Sequence, residues 1–125
     1  MGALRALANR LRGEETPISP HVVEPDERAD LSVGEEYAPV VESVREGYLL
    51  HYGESRLLAG HDADLGLLAG DYLYALGIER LAARGDARAV GVLAELIGRC
   101  AQLHAEGREA EAPALWRDAV ASLGA

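Results

Sequence analysis

The stretch DADLGLLAGDYLYALGIERLAAR, residues 62–84, is the longest helical pattern in this chain. Apolar side chains fall on nearly every side of the helix that it predicts: Leu65, Leu67, Leu68, Tyr72, Leu73, Tyr74, Leu76, Ile78 and Leu81. A surface helix normally has one apolar stripe, so this helix is either central in its fold or covered by a second chain. A bundle of about five helices surrounds one of its own helices only with difficulty. The pattern therefore favours a homo- or hetero-oligomer formed through residues 65–81.

Helical patterns also lie on both sides of this stretch, and together they predict an all-α fold of about five helices. Phe is absent and Thr occurs once, so residues that favour strands are scarce. Residues expected to face the core are Leu4, Leu7 and Leu11 of a first helix ending near Gly13, Val40, Val41, Val44 and Tyr48 of a helix from about Glu36 to Tyr52, and Trp116, Ala119, Val120 and Leu123 of a last helix after Glu109. We expect a compact bundle.

A central antiparallel hairpin is predicted from residues 62–84 and 86–106, with a tight turn at Gly85 and Asp86. Small residues would then meet across the hairpin, which suggests a close approach of the two backbones. The expected neighbours are Gly70 with Ala101 and Gly77 with Ala94.

The chain is predicted to consist of a short amphipathic helix with a proline-containing arm, residues 1–31, and one helical body, residues 32–125. Ser32 and Glu35 have the spacing of a capping box ahead of the first helix of the body. Asp62 or Asp64 is expected to cap the helix of the central stretch.

Composition excludes several functions. The formal net charge is −9, so general binding to nucleic acid or to anionic membranes is not expected. All twelve cations are arginines, so the chain offers no lysine for a Schiff base or a phosphate loop. Cys100 is the only cysteine, which together with the absence of a long apolar run predicts a cytoplasmic protein without a transmembrane segment.

Two acidic clusters are weak candidates for a metal site. Asp26 and Asp30 are four residues apart and could hold Mg²⁺ on a helix, but their segment is broken by prolines and is better interpreted as a solvated loop. His61, Asp62 and Asp64 cluster where a helix is expected to begin, and capping explains the two aspartates. No metal, cofactor or catalytic residue is predicted.

The candidates for an interface or a pocket are Tyr48, Tyr52, Gly70, Asp71, Tyr72, Tyr74 and Gly77. Tyrosines at helical positions are most often packed in the core, although ring and hydroxyl together can line a binding site. Asp71 is the sole charge in an apolar stretch, so it should have a partner, for example an arginine or a backbone donor, and the sequence does not identify it.

One part of the sequence resembles the trans-isoprenyl diphosphate synthases, the polyprenyl synthetase family. The resemblance lies in L-L-A-G-D-Y-L at 67–73, E-R-L-A at 79–82, G-D at 85–86 and L-A-E-L-I at 93–97, and it covers about a third of the chain. It implies an all-α fold whose helices surround a cavity for a prenyl chain. It also implies Mg²⁺ held between two aspartate-rich motifs and the diphosphates.

The sequence departs from that family in the metal-binding motifs. The first motif is expected a few dozen residues before L-A-G-D, but the corresponding residues 40–52 contain none, and the second motif is also missing. The chain is therefore most similar in character to the non-catalytic small subunits of heterodimeric prenyl synthases. The alternative is a stand-alone homodimeric protein that binds a small molecule or has a structural role. An independent Mg²⁺-dependent prenyltransferase is a third interpretation.

Overall fold

A computed structural model describes residues 2–124 except 27, 29, 30 and 32. Within these residues the chain forms five α-helices and no β-strand, which confirms the all-α class. The helices are α1 (Ala3–Gly13), α2 (Ala38–Tyr52), α3 (Ala63–Ala83), α4 (Ala87–Ala105) and α5 (Ala112–Leu123). Residues 1–77 and 78–125 form two compact units, and α3 is continuous through the point where they meet in sequence.

The core of the first unit is apolar and combines α1, α3 and the loop before α3. Its buried members are Leu4, Leu7, Ala8, Leu11, Ile18, Leu57, Leu58, Ala69, Leu73 and Leu76. The predicted stripe of α1 is thus confirmed, and Val40, Val41, Val44 and Tyr48 of α2 are buried as expected. The arm after α1 folds back toward this core, since Val22 forms an isolated antiparallel bridge with Leu58.

Small residues bring α2 and α3 together. A Cβ atom built on Gly70 would lie 3.0 Å from the carbonyl oxygen of Gly47, and one on Gly77 would lie 2.7 Å from Cγ2 of Val44. The close contacts that the structure shows for Gly70 and Gly77 are therefore with α2, and their pairing with Ala101 and Ala94 stays a prediction. Residue spacing reveals that a helix has a small-residue face, but not which helix that face meets.

Helix starts follow local chemistry where a side chain can reach. Asp62 Oδ1 accepts a hydrogen bond from the Leu65 backbone N–H at 2.8 Å, so Asp62 is the predicted cap of α3. α2 begins at Ala38 with Pro39 in its first turn and has no side-chain cap. Of the predicted capping box, Ser32 lies outside the described residues.

The second unit contains α4 and α5. The predicted turn is confirmed: Gly85 has φ of +72°, and Asp86 Oδ1 accepts from the Ala89 N–H at 3.1 Å. The buried side chains are Ala89, Leu93, Leu96, Cys100 and Leu103 of α4 and Ala112, Trp116 and Leu123 of α5. Ala119 and Val120, also predicted to face inward, are only partly buried.

Candidate functional site

Two glutamates on α2 are buried inside the first unit. Glu42 and Glu46 are one helical turn apart and are 1% and 0% exposed. Arg56, from the loop between α2 and α3, reaches both carboxylates. Its Nη1 lies 3.3 Å from Glu42 Oε1, and its Nε lies 2.8 Å from Glu46 Oε2. One guanidinium therefore pairs with two carboxylates in a site that excludes most water.

Backbone and hydroxyl donors complete this buried cluster. Glu46 Oε1 accepts from the Ser55 hydroxyl at 2.5 Å and from the Arg56 N–H at 2.8 Å. It also accepts from the Leu57 N–H at 3.2 Å, and Glu42 Oε2 accepts from the Leu31 N–H at 3.2 Å. Because each carboxylate oxygen faces a donor, the chain itself compensates the cost of burying two negative charges.

The buried cluster does not fit a Mg²⁺ site. Hard divalent cations take carboxylate oxygens as ligands, and those oxygens of Glu42 and Glu46 are already directed at Arg56 and at N–H and O–H donors. Residues 40–52 are the stretch in which the family resemblance implies the first aspartate-rich motif. At this position the positive charge beside the carboxylates is a guanidinium of the same chain.

We call the exposed stripe Asp64, Leu67, Leu68 and Asp71 the outer face of α3. Leu67 is 51% and Leu68 66% exposed, although both are large aliphatic side chains. The opposite side of the same helix holds Leu73, which is fully buried in the core. The two leucines therefore do not contribute to the core of the first unit.

Asp71 is exposed and its partner is a histidine. Its Oδ1 lies 3.1 Å from Nε2 of His51, and the same nitrogen lies 3.2 Å from the Leu67 carbonyl oxygen. Because both neighbours are acceptors, Nε2 must carry a proton and donate it. The prediction that Asp71 needs a partner is confirmed, but the partner is neither an arginine nor a backbone donor. Asp71 is also 70% exposed.

The four candidate tyrosines serve different contacts. Tyr48 is buried and lies 5.3 Å from the half-exposed Tyr52, ring centre to ring centre. Tyr74 packs edge-on against His51 at 5.1 Å. The Tyr72 hydroxyl donates to Glu14 Oε2 at 2.7 Å, which joins α3 to the end of α1. Burial and this hydrogen bond raise the pKa of Tyr72.

Two of the weak metal candidates, Asp26 and Asp62, make other contacts in the structure. Asp26 pairs with Arg28 at 3.0 Å, and Asp30 lies outside the described residues. Asp62 caps α3, and Asp64 lies exposed in its first turn. The described residues contain no group of three or more His, Cys, Asp or Glu side chains arranged to hold a metal ion.

His61 is partly buried beside Gly66, and its ring meets that of His21 edge-on with centres 6.3 Å apart. Its Nδ1 has no hydrogen-bond partner among the described residues. His21 Nδ1 lies 3.1 Å from the Ala59 carbonyl oxygen. The pair holds the N-terminal arm against the loop before α3.

Two shallow grooves of the second unit lie between α4 and residues 106–122. One, of about 210 Å³, is lined by Val92, Glu95, Leu96, Arg99, Leu115, Asp118, Ala119 and Ser122. The other, of about 330 Å³, shares Arg99 and Leu115 and adds Glu106, Arg108 and Glu111. None of the candidate tyrosines lines either groove.

Sequence reasoning missed the buried cluster. Carboxylates on a helix are normally assigned to the solvent side, and only Val40, Val41, Val44 and Tyr48 were expected inside α2. A usable signal exists: Ser43 and Gly47 flank these valines, so small or apolar residues surround Glu42 and Glu46 and leave α2 without a continuous polar face.

Comparisons with protein-family models, curated proteins and solved structures find no match to this chain. Among the described residues, no helix combines the length and apolar character needed to span a membrane. The function is therefore inferred from these residues and from the sequence resemblance.

Proposed function

We propose that this chain is a non-catalytic helical subunit of the cytoplasm that assembles with a catalytic partner of the prenyl diphosphate synthase type. The resemblance of residues 67–97 to that family supports the class of partner. The proposal includes an isoprenoid-synthase-like arrangement of helices and no cofactor of the chain's own.

The observation that carries the proposal is the pairing of Arg56 with Glu42 and Glu46. A catalytic chain of this family needs carboxylates that are open to Mg²⁺ and diphosphate. Here the two carboxylates in the corresponding stretch are buried and are paired with one arginine and with N–H and O–H donors of the same chain, which is the chemistry of a structural element rather than of a metal site. The exposed Leu67 and Leu68 lie in the same L-L-A-G-D-Y-L string and provide the surface for assembly.

The test is reconstitution with an aspartate-rich prenyl synthase chain from the same source. Turnover of labelled isoprenyl diphosphates in the presence of Mg²⁺ is measured for each chain alone and for the mixture. We expect this chain alone to be inactive and the mixture to exceed the catalytic chain alone by at least about tenfold, which corresponds to ~1.4 kcal/mol of barrier lowering. Turnover by this chain alone, or a mixture no faster than the catalytic chain, would contradict the proposal.

A stand-alone homodimer is the alternative function, and the exposure of Leu67 and Leu68 is the one observation that favours it. Its signature is a stable symmetric dimer of the pure chain that assembles through these leucines. Asp64 and Asp71, which flank the two leucines, argue against such a dimer because a second copy would set carboxylate against carboxylate.

A further inference from the structure

We propose that the outer face of α3 docks an apolar surface of a different protein that carries arginine or lysine on both sides, and not a second copy of this chain. The inference rests on the proposed function for the identity of the partner, but the chemistry of the surface follows from the face itself. The occupant is thus defined by two properties, an apolar centre and two flanking cations.

The apolar centre is formed by Leu67 and Leu68, which lie side by side on the exposed surface. Ala75, one turn beyond Asp71 on the same stripe, is also exposed, so this end of the stripe offers a small side chain that lets another surface approach closely. Burying an exposed leucine typically stabilises a complex by about 1.5 to 3 kcal/mol. The centre can therefore anchor a partner but cannot select one.

Selection comes from the charges at both ends. Asp64 and Asp71 each lie one turn away from the leucine pair, on the same stripe of the helix. The rise of an α-helix places them roughly 10 Å apart. α3 has no arginine between Ala63 and Gly77, and within the described residues no arginine forms an ion pair with either aspartate. His51 fixes the position of Asp71 from the protein side.

A second copy of the chain does not satisfy these charges. In an antiparallel two-fold pairing centred on the leucines, Asp64 of each copy faces Asp71 of the other, because both lie equally far from the centre. In a parallel pairing each aspartate faces its own counterpart. Either arrangement sets carboxylate against carboxylate at both ends, and the net charge of −9 adds further repulsion. A partner with two cations at the matching separation replaces this repulsion with attraction.

The full chain with Asp64→Arg and Asp71→Arg supplies the probe, since it presents the same leucines between two cations. We expect the native chain and this variant each to be monomeric in low salt, because each repels its own copy. Mixed in equal amounts, they should form a one-to-one complex in sedimentation velocity. Its Kd should be at least about tenfold below that for self-association of the native chain, and it should rise with added salt.

Two controls separate the face from general attraction. Glu95→Arg with Glu109→Arg makes the same change in net charge at exposed positions of the second unit, and its mixture with the native chain should remain monomeric. Leu67→Ser with Leu68→Ser in both partners should abolish the complex. Circular dichroism establishes folding. If the double variant unfolds, Asp64→Arg alone is the second probe, since it leaves the contact of Asp71 with His51 intact. In the antiparallel pairing the new cation of each copy faces Asp71 of the other, so this variant should dimerise with itself, and adding Leu67→Ser with Leu68→Ser should return it to the monomer.

Two results would overturn the inference. One is a mixture that associates no more than the control mixture when both chains are folded. The other is a native homodimer that Leu67→Ser with Leu68→Ser converts to monomers. Failure of prenyl transfer in the reconstitution, with charge-dependent pairing retained, would remove only the identity of the partner, whereas loss of pairing with transfer retained would remove only this surface.

Discussion

Two pairs of carboxylates, one on α2 and one on α3, have opposite environments. Glu42 and Glu46 on α2 are buried, and Arg56 of the same chain pairs with both. Asp64 and Asp71 on α3 flank exposed leucines, and only Asp71 has a side-chain partner among the described residues, the histidine His51. The fold thus satisfies its inner charges by itself. It leaves the outer charges beside an apolar surface, where another protein can satisfy them.

The largest effect on stability is expected at the buried carboxylates Glu42 and Glu46, which we call the inner pair. Arg56→Ala should lower the free energy of unfolding by about 3 to 5 kcal/mol, because it leaves two buried carboxylates without their cation. Urea denaturation at neutral pH measures the change. Arg56→Lys should recover only part of the loss, since an ammonium group lacks the planar fork that reaches both carboxylates.

The matched control is Arg99→Ala, because Arg99 is exposed on α4. It should change the free energy of unfolding by less than about 0.5 kcal/mol. If Arg56→Ala and Arg99→Ala changed the free energy of unfolding equally, the pairing of Arg56 with Glu42 and Glu46 would not stabilise the fold. The buried carboxylates would then not differ from exposed ones in their role.

The next effect concerns the contact that holds α3 against α2. In Gly70→Ala the new Cβ would lie 2.6 Å from His51 Nε2 and 3.0 Å from the Gly47 carbonyl oxygen. Since a backbone oxygen cannot easily move, we expect a loss of about 1 to 3 kcal/mol in unfolding free energy. Because the new Cβ displaces the His51 ring, the contact between His51 and Asp71 should also be lost. The substitution would then change the outer face of α3 as well as its contact with α2.

Gly98→Ala is the control for this substitution, because its Cβ meets nothing within 4 Å. Alanine is the better helix former, so the free energy of unfolding should rise by up to about 1 kcal/mol. Thermal denaturation of both variants gives the comparison. A stabilised Gly70→Ala variant would show that α2 and α3 are not in close contact.

A smaller effect is expected at Tyr72. Its pKa is raised in the folded state, whereas an unfolded tyrosine loses its proton near pH ~10. The folded state therefore keeps the proton longer, and stability should fall as the pH rises above about 10 toward the folded pKa. Tyr72→Phe should remove this fall and should cost about 1 kcal/mol at neutral pH through the lost hydrogen bond to Glu14.

Urea titrations between neutral and alkaline pH measure both changes. At neutral pH Tyr52→Phe is the control at a half-exposed tyrosine, with an expected change below about 0.5 kcal/mol. A stability profile above pH ~10 that is identical for the native chain and Tyr72→Phe would contradict the assigned hydrogen bond.

The smallest effect on stability is expected at the outer face. Leu67→Ser with Leu68→Ser should change the free energy of unfolding by less than about 0.5 kcal/mol, since both side chains are exposed. Leu73→Ala on the buried side of the same helix should cost about 2 to 5 kcal/mol. If the two outer leucines proved equally important for unfolding, they would belong to the core and not to a docking surface.

The features that sequence predicted correctly are local ones. The leucine stripe of α1, the turn at Gly85 and the cap at Asp62 depend on residues within a few positions of each other, where spacing determines geometry. Composition and periodicity were also sufficient for the all-α class. α2 begins at Ala38, two residues after the predicted Glu36, so that Pro39 falls at the very start of the helix, where its missing N–H costs no helical hydrogen bond.

The features that sequence missed are contacts between distant residues. The spacing of residues along the chain does not show that Arg56 contacts Glu42, or that His51 of α2 contacts Asp71 of α3. The glycines of α3 predicted a close approach to another helix. That this helix is α2 depends on the tertiary fold. For the candidate site, the apolar excess of α3 predicted a partner surface, which stays a prediction, and only the structure shows that Leu67 and Leu68 are exposed.

The most direct test of the account is the molar mass of the pure native chain in low salt, measured by sedimentation equilibrium over a wide range of concentrations. A chain that satisfies its inner charges and repels its own copy at the outer face should remain a monomer of 13.3 kDa. A species of twice that mass, which Leu67→Ser with Leu68→Ser returns to the monomer, would contradict it.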